Sequence, residues 1–133
     1  TIRRTMRLIR ALCGPFFVFA GVMHFVKPRF YLQMMPPWLP AHEFMNYASG
    51  AAEVIGGAML ICPEPRVRKA GGWFTLLILA AVYPANIHMA LNADQFPDVP
   101  GGQAALIARL PFQAVFAAWV WSAMKSRSST SPS

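Results

Sequence analysis

The sequence predicts an all-α membrane protein, a four-helix transmembrane bundle with both termini in the cytoplasm (N-in/C-in) and an interfacial loop between helices 1 and 2. Three observations carry that prediction. Of the 133 residues, 56% are hydrophobic and only 13% are charged, far from the balance of an ordinary soluble domain. Four apolar stretches, each suited to crossing roughly 30 Å of hydrocarbon, are separated by connectors rich in proline and glycine. The lysines and arginines gather at the ends of these stretches.

The first stretch runs from Leu8 to Val26 behind Arg3, Arg4, Arg7 and Arg10. At 1.5 Å per residue it reaches roughly 28 Å, a full span. It imitates a signal peptide, but no convincing small-x-small cleavage site follows, so it is read as a retained span. Lys27-Pro28-Arg29 ends it, because proline disfavours helical geometry in the residue before it. The connector that follows holds Tyr31, Met34, Met35, Pro36, Pro37, Trp38 and Pro40, too apolar for a solvated linker and too proline-rich for a span. It is expected to lie in the membrane interface as a lid. Trp38 then either anchors at headgroup level or touches a ligand.

The second span is expected from Asn46 to Cys62, stopped by Pro63-Glu64-Pro65. A short turn makes it an antiparallel neighbour of the third, Gly71 to Leu91, where Pro84 frees the carbonyl of Ala80 beside Asn86. A breaker-rich loop leads to the fourth span, Gln103 to Met124, with Arg109 and Gln113 in its first half. Residues 1–124 form one expected domain, and 125–133 a polar, serine-rich, disordered tail.

Charge sets the orientation and excludes one class of partner. The N-terminal flank, the turn after the second span and the tail hold nine of the basic residues, against Lys27 and Arg29 on the other side. The positive-inside rule then puts both termini in the cytoplasm. The net charge of +7 is not read as a nucleic-acid footprint, since the basic residues do not interleave with aromatics along one face. No metal is expected, because His24, His42, His88 and Glu53 show no ligand spacing, and no nucleotide or serine-hydrolase motif is present. Cys13 and Cys62 form no C-x-x-C pair and are expected as reduced packing residues.

The stretch Ser49-Gly50-Ala51-Ala52-Glu53-Val54-Ile55-Gly56-Gly57 places one carboxylate inside a span, at a cost of about 2.5 to 3.5 kcal/mol on insertion scales. Its small neighbours let another helix approach, so Glu53 should face the bundle interior. Folding the spans antiparallel brings His24, Glu53, Asn86, Arg109 and Gln113 to one layer, roughly 3 to 15 Å below the outer surface. The candidate pocket is His24, Trp38, Ser49, Glu53, Asn86, Arg109 and Gln113. Glu53 is expected to pair with Arg109, either as a structural ion pair or as the centre of a site. His24 is either a packing histidine or a proton carrier, and Asn86 and Gln113 either interhelical glue or ligand contacts. His88 should lie outside the cluster, on the opposite side of its helix from Asn86.

At Ala20-Gly21-Val22-Met23-His24-Phe25, Pro36-Pro37-Trp38-Leu39-Pro40, Ser49-Gly50-Ala51-Ala52-Glu53, Pro84-Ala85-Asn86-Ile87 and Arg109-Leu110-Pro111-Phe112-Gln113, the chain resembles the DoxX family of small four-span bacterial membrane proteins. The resemblance covers nearly all of residues 11–124. It implies residence in the bacterial inner membrane and an association with membrane oxidoreductase systems, and it carries over no catalytic residue. Two functions follow as expectations. In one, the polar layer binds a small amphipathic molecule such as a quinone, with Glu53 and His24 handling protons and Arg109 polarising an oxygen. In the other, the protein is a non-catalytic subunit or assembly factor whose partners are the lipid bilayer and a membrane protein or further copies of itself.

Overall fold

The computed structural model describes residues 1–97 and 99–125, and these are helical with no strand among them. The elements are α1 (Ile2–Ala11), α2 (Cys13–Val26), α3 (Pro28–Leu32), α4 (His42–Ile61), α5 (Pro65–Leu91), a short 3-10 turn (Ala93–Gln95) and α6 (Gly102–Lys125). The tail expected to be disordered falls, from residue 126 onward, outside the described residues. Three helical segments are long and apolar enough to cross a membrane: Ile2–Val26, Pro65–Leu91 and Gly102–Lys125. The 20-residue α4 has the length, but Asn46, Ser49, Glu53 and its glycines make it too polar to join them.

The seam between α2 and α4 is made of backbone. Gly14 lies against Gly57, and Gly21 against Gly50, so the two helices run antiparallel with their glycines in register. A Cβ on Gly21 would fall 2.5 Å from the Gly50 carbonyl oxygen, closer than any side chain tolerates. That closeness brings the side chains one turn further along, His24 and Asn46, into contact across the seam. α5 packs antiparallel on α4, with Gly71 against Met59 and Leu60 and Thr75 against Gly56. Thr75 is fully buried and returns its hydroxyl to the Gly71 carbonyl, the usual way a helix satisfies a buried threonine.

α6 meets α1 and α2 directly at one end of the bundle. There Phe16 and Phe17 of α2 meet Phe116, Arg10 Nε donates to Ser122 Oγ at 2.8 Å, and Trp119 Nε1 donates to the Ile9 carbonyl at 2.8 Å. We call this the basal end. At the opposite, distal end the connector after α2 packs against α5 and α6. Met34 is buried there with Met89, Ala90, Phe96, Val99 and Leu106.

Several boundaries differ from those the sequence predicts. The first helix begins at Ile2 and breaks at Leu12, and α4 begins at His42, four residues before the expected start. Ala41 makes that earlier start by adopting a left-handed conformation, φ 51°, which a residue with a side chain takes at a cost of about 1 kcal/mol. The connector is no surface lid throughout, because Met34 and Pro36 are buried and Tyr31 is half-buried while Trp38 stays exposed. Pro84 leaves α5 unbroken from Pro65 to Leu91.

Candidate functional site

His24 stands two residues before the end of α2, on the stripe that carries Gly14, Phe17 and Gly21. On α4 the stripe Asn46, Gly50, Glu53, Gly57 faces it, with the two polar residues two helical turns apart. Close packing of the glycines therefore delivers one imidazole, one amide and one carboxylate to a single place. His24 Nδ1 lies 2.8 Å from Asn46 Oδ1, and Asn46 Nδ2 donates to the His24 carbonyl at 2.9 Å. On the other side of the ring, His24 Nε2 is 3.4 Å from Glu53 Oε2.

This network fixes where the histidine carries a proton. A backbone carbonyl can only accept, so the Asn46 amide nitrogen must face it and the amide oxygen must face Nδ1. An amide oxygen also only accepts, so Nδ1 holds a proton. Nε2 is then the atom that meets the carboxylate. A bare Nε2 opposite an ionised carboxylate would set two acceptors against each other, and Oε2 is buried with no other partner. One proton between Nε2 and Oε2 removes that conflict, as an imidazolium facing a carboxylate or as a neutral histidine facing a carboxylic acid. The pair is thus a store for one proton.

Tyr31 of α3 lies flat on the His24 ring, with centroids 3.8 Å apart and planes 15° from parallel. Burial pushes its phenol up from the ordinary tyrosine range, the nearby Glu53 charge adds to this, and the Arg109 guanidinium opposes it. The phenol stays protonated at neutral pH and senses both charges. Arg109 itself donates Nη1 to the Met34 thioether at 2.9 Å. Thioether sulfur is a weak acceptor, and the other guanidinium N–H groups have no acceptor among the described residues.

The expected Glu53–Arg109 ion pair does not form. His24, held by Asn46, takes the carboxylate, while Met34 from the connector occupies Arg109. The remaining candidates divide. Asn86 Nδ2 donates to Gln113 Oε1 at 3.2 Å, and Gln113 Nε2 donates to the Leu79 carbonyl, one residue before the carbonyl that Pro84 frees. Trp38 Nε1 donates to His88 Nδ1 at 3.1 Å, so His88 belongs to a separate contact with the connector. Ser49 is half-buried between Asn46 and Glu53 and makes no side-chain hydrogen bond among the described residues. Cys13 and Cys62 are free thiols. A shallow surface depression lined by Pro37, Leu39, Ala41, His42, Glu43 and Phe44 lies on the outside of the connector, away from the His24–Glu53 pair. No group of three potential metal ligands occurs among the described residues.

Reading from sequence missed Asn46 and Tyr31. Asn46 carried a usable signal, since it stands seven residues before Glu53 on the glycine stripe. Tyr31 carried none, because its position depends on how the connector turns after Pro28.

Fold and site together define a helical protein with three helical segments long and apolar enough to cross a membrane and a histidine–carboxylate pair packed inside its distal half. The chain belongs to the family described as Domain of unknown function (DUF8561), which it matches over residues 13–124. No curated protein and no solved structure matches it at a significant level. The DUF8561 match overturns the resemblance to the DoxX family. The oxidoreductase association that the resemblance implied falls with it.

Proposed function

We propose that this is a multi-pass protein of the bacterial inner membrane, a four-span bundle with both termini cytoplasmic, whose distal polar site binds a small amphipathic molecule and exchanges a proton with it. The observation that carries this reading is the His24–Glu53 pair. A purely structural buried carboxylate would be expected to have both oxygens satisfied, whereas Oε2 has only the shared proton of His24. Arg109 supplies the second element, guanidinium donors that meet no oxygen acceptor among the described residues and suit a carbonyl or anionic oxygen. Tyr31 links the two electrostatically. A quinone-like head group has the matching chemistry, an oxygen for Arg109 and a second that accepts a hydrogen bond from the proton at Nε2.

α4 serves as the fourth span because α2 and α5 cover its polar stripe, so that beyond its first turn the exposed side carries Tyr47, Ala48, Ile55, Ala58 and Ile61. Reporter fusions at Asp94 and after Lys125 should report opposite sides of the membrane. The function is tested on the full chain purified in mild detergent, by identifying co-purified small molecules and by titrating decylubiquinone against tryptophan emission. Saturable quenching that Glu53→Gln and Arg109→Gln each weaken at least tenfold, with thermal stability retained, is the expected result. No small molecule, no saturable binding and a stoichiometric protein partner would instead favour a non-catalytic subunit or assembly factor.

A further inference from the structure

The basal end carries a second construction that the proposed function does not use. On α5, Lys69 and Trp73 stand four residues apart and share a face, and on α6 Trp121 and Lys125 do the same. Because the two helices run in opposite directions, each lysine lies one turn nearer the end of the bundle than its tryptophan. The indoles meet edge to face with centroids 5.4 Å apart, and Lys125 Nζ is 4.8 Å from the centre of the Trp121 ring. Trp73 is 57% exposed and Trp121 44%, so the pair faces outward, and Leu77 one turn further along α5 is exposed as well.

The packing beneath holds this face in place. A Cβ on Gly72 would fall 2.5 Å from Met124 Cβ, so α5 and α6 approach more closely there than side chains allow. Arg68, 1% exposed, clamps the crossing by donating Nε to the Met124 carbonyl and Nη1 to the Pro63 carbonyl, both at 3.3 Å. No carboxylate pairs with it among the described residues, and its Nη2 is buried without a partner. Glu64, the one acid in this turn, is exposed and accepts from the Arg66 backbone N–H. Arg68 therefore places a positive charge beneath the two tryptophans that no carboxylate among the described residues neutralises.

We infer that this α5–α6 face is a binding site for an anionic phospholipid. The lysines take the phosphate of the headgroup, the paired indoles sit at the level of the glycerol esters, and an acyl chain lies along Leu77. The order of lysine then tryptophan along both helices, with Leu77 continuing it on α5, follows the order of a bilayer leaflet from water to hydrocarbon. A zwitterionic lipid is a poorer fit, since its own cation would meet the two ammonium groups. The inference needs the chain to lie in a membrane but is independent of any distal ligand.

The test uses the full chain reconstituted in phosphatidylcholine vesicles containing a minority of phosphatidylglycerol, with retained lipid counted by native mass spectrometry after gentle extraction. Wild-type protein should retain phosphatidylglycerol well above its bulk share. Lys69→Gln with Lys125→Gln should cut that enrichment roughly tenfold. Arg3→Gln with Arg4→Gln, which removes the same charge from the same end, should leave it within about twofold. Equal losses in the two variants would overturn the site in favour of diffuse attraction to a basic rim. A second measurement needs no charge change: brominated phosphatidylglycerol should quench tryptophan emission more than brominated phosphatidylcholine, and the excess should vanish in Trp73→Phe with Trp121→Phe. Persistence of the excess, carried by Trp38 and Trp119, would contradict the assignment.

Discussion

The distal half of the bundle holds two polar pairs of different kinds, His24 with Glu53 and Asn86 with Gln113. Each joins neighbouring helices. Asn86 and Gln113 are neutral, and the Gln113 amide spends its oxygen on Asn86 and its nitrogen on the Leu79 carbonyl. His24 and Glu53 are ionisable, and the carboxylate oxygen between them depends on a single proton. Two amides can bind helices together without ever changing state. A histidine and a carboxylate sharing one proton can give it up or accept another, and that difference separates glue from a working site.

If the first pair is a site built by close backbone packing, the seam beneath it should be the least tolerant region. Gly50→Leu is expected to destabilise the protein by at least about 3 kcal/mol, because even a Cβ there would lie 2.6 Å from His24 Cβ and 2.8 Å from the Gly21 carbonyl. Thermal unfolding in detergent measures it, and a variant as stable as wild type would mean the seam is not this close. Asn46→Ala should cost about 2 kcal/mol, since it leaves the His24 Nδ1 proton and carbonyl unpaired in a buried place. It should also weaken ligand binding, because the ring loses both its orientation and its fixed proton.

Breaking the second pair should do less. Asn86→Ala should cost about 1 kcal/mol or less, in the range of interhelical hydrogen bonds in membranes, and leave decylubiquinone binding unchanged. A loss of binding equal to that of Glu53→Gln would erase the distinction between the pairs. The smallest effect has the opposite sign: Ala41→Gly should stabilise by roughly 0.5 to 1 kcal/mol, since glycine takes φ 51° without steric cost. A destabilised Ala41→Gly variant would show that the connector enters α4 differently.

The sequence made the helical class and the polar character of Glu53 and His24 legible because both rest on short-range patterns, apolar run length and a lone carboxylate among small residues. Pairing was less legible. Glu53 and Arg109 looked complementary by charge and depth, yet partner choice was decided by which helices touch. The glycines of α2 and α4 bring His24 to Glu53, and the inward turn of Met34 puts a thioether on Arg109. Asn46 could have been found by following the glycine stripe in steps of three and four. Tyr31 could not, because the path of a proline-rich connector is set by long-range packing of Met34 with Met89 and Leu106.

The central claim is that one proton sits between Nε2 of His24 and Glu53 while Nδ1 stays protonated against Asn46. Nitrogen-15 NMR of selectively labelled histidine in the full chain, reconstituted in lipid and assigned by His42→Gln and His88→Gln, reads both ring nitrogens directly. His24 Nδ1 should remain protonated throughout the pH range. Nε2 alone should respond to pH, and Glu53→Gln should alter this response while Gln113→Ala leaves it intact. A His24 ring with bare Nδ1 and protonated Nε2, insensitive to Glu53→Gln, would contradict it.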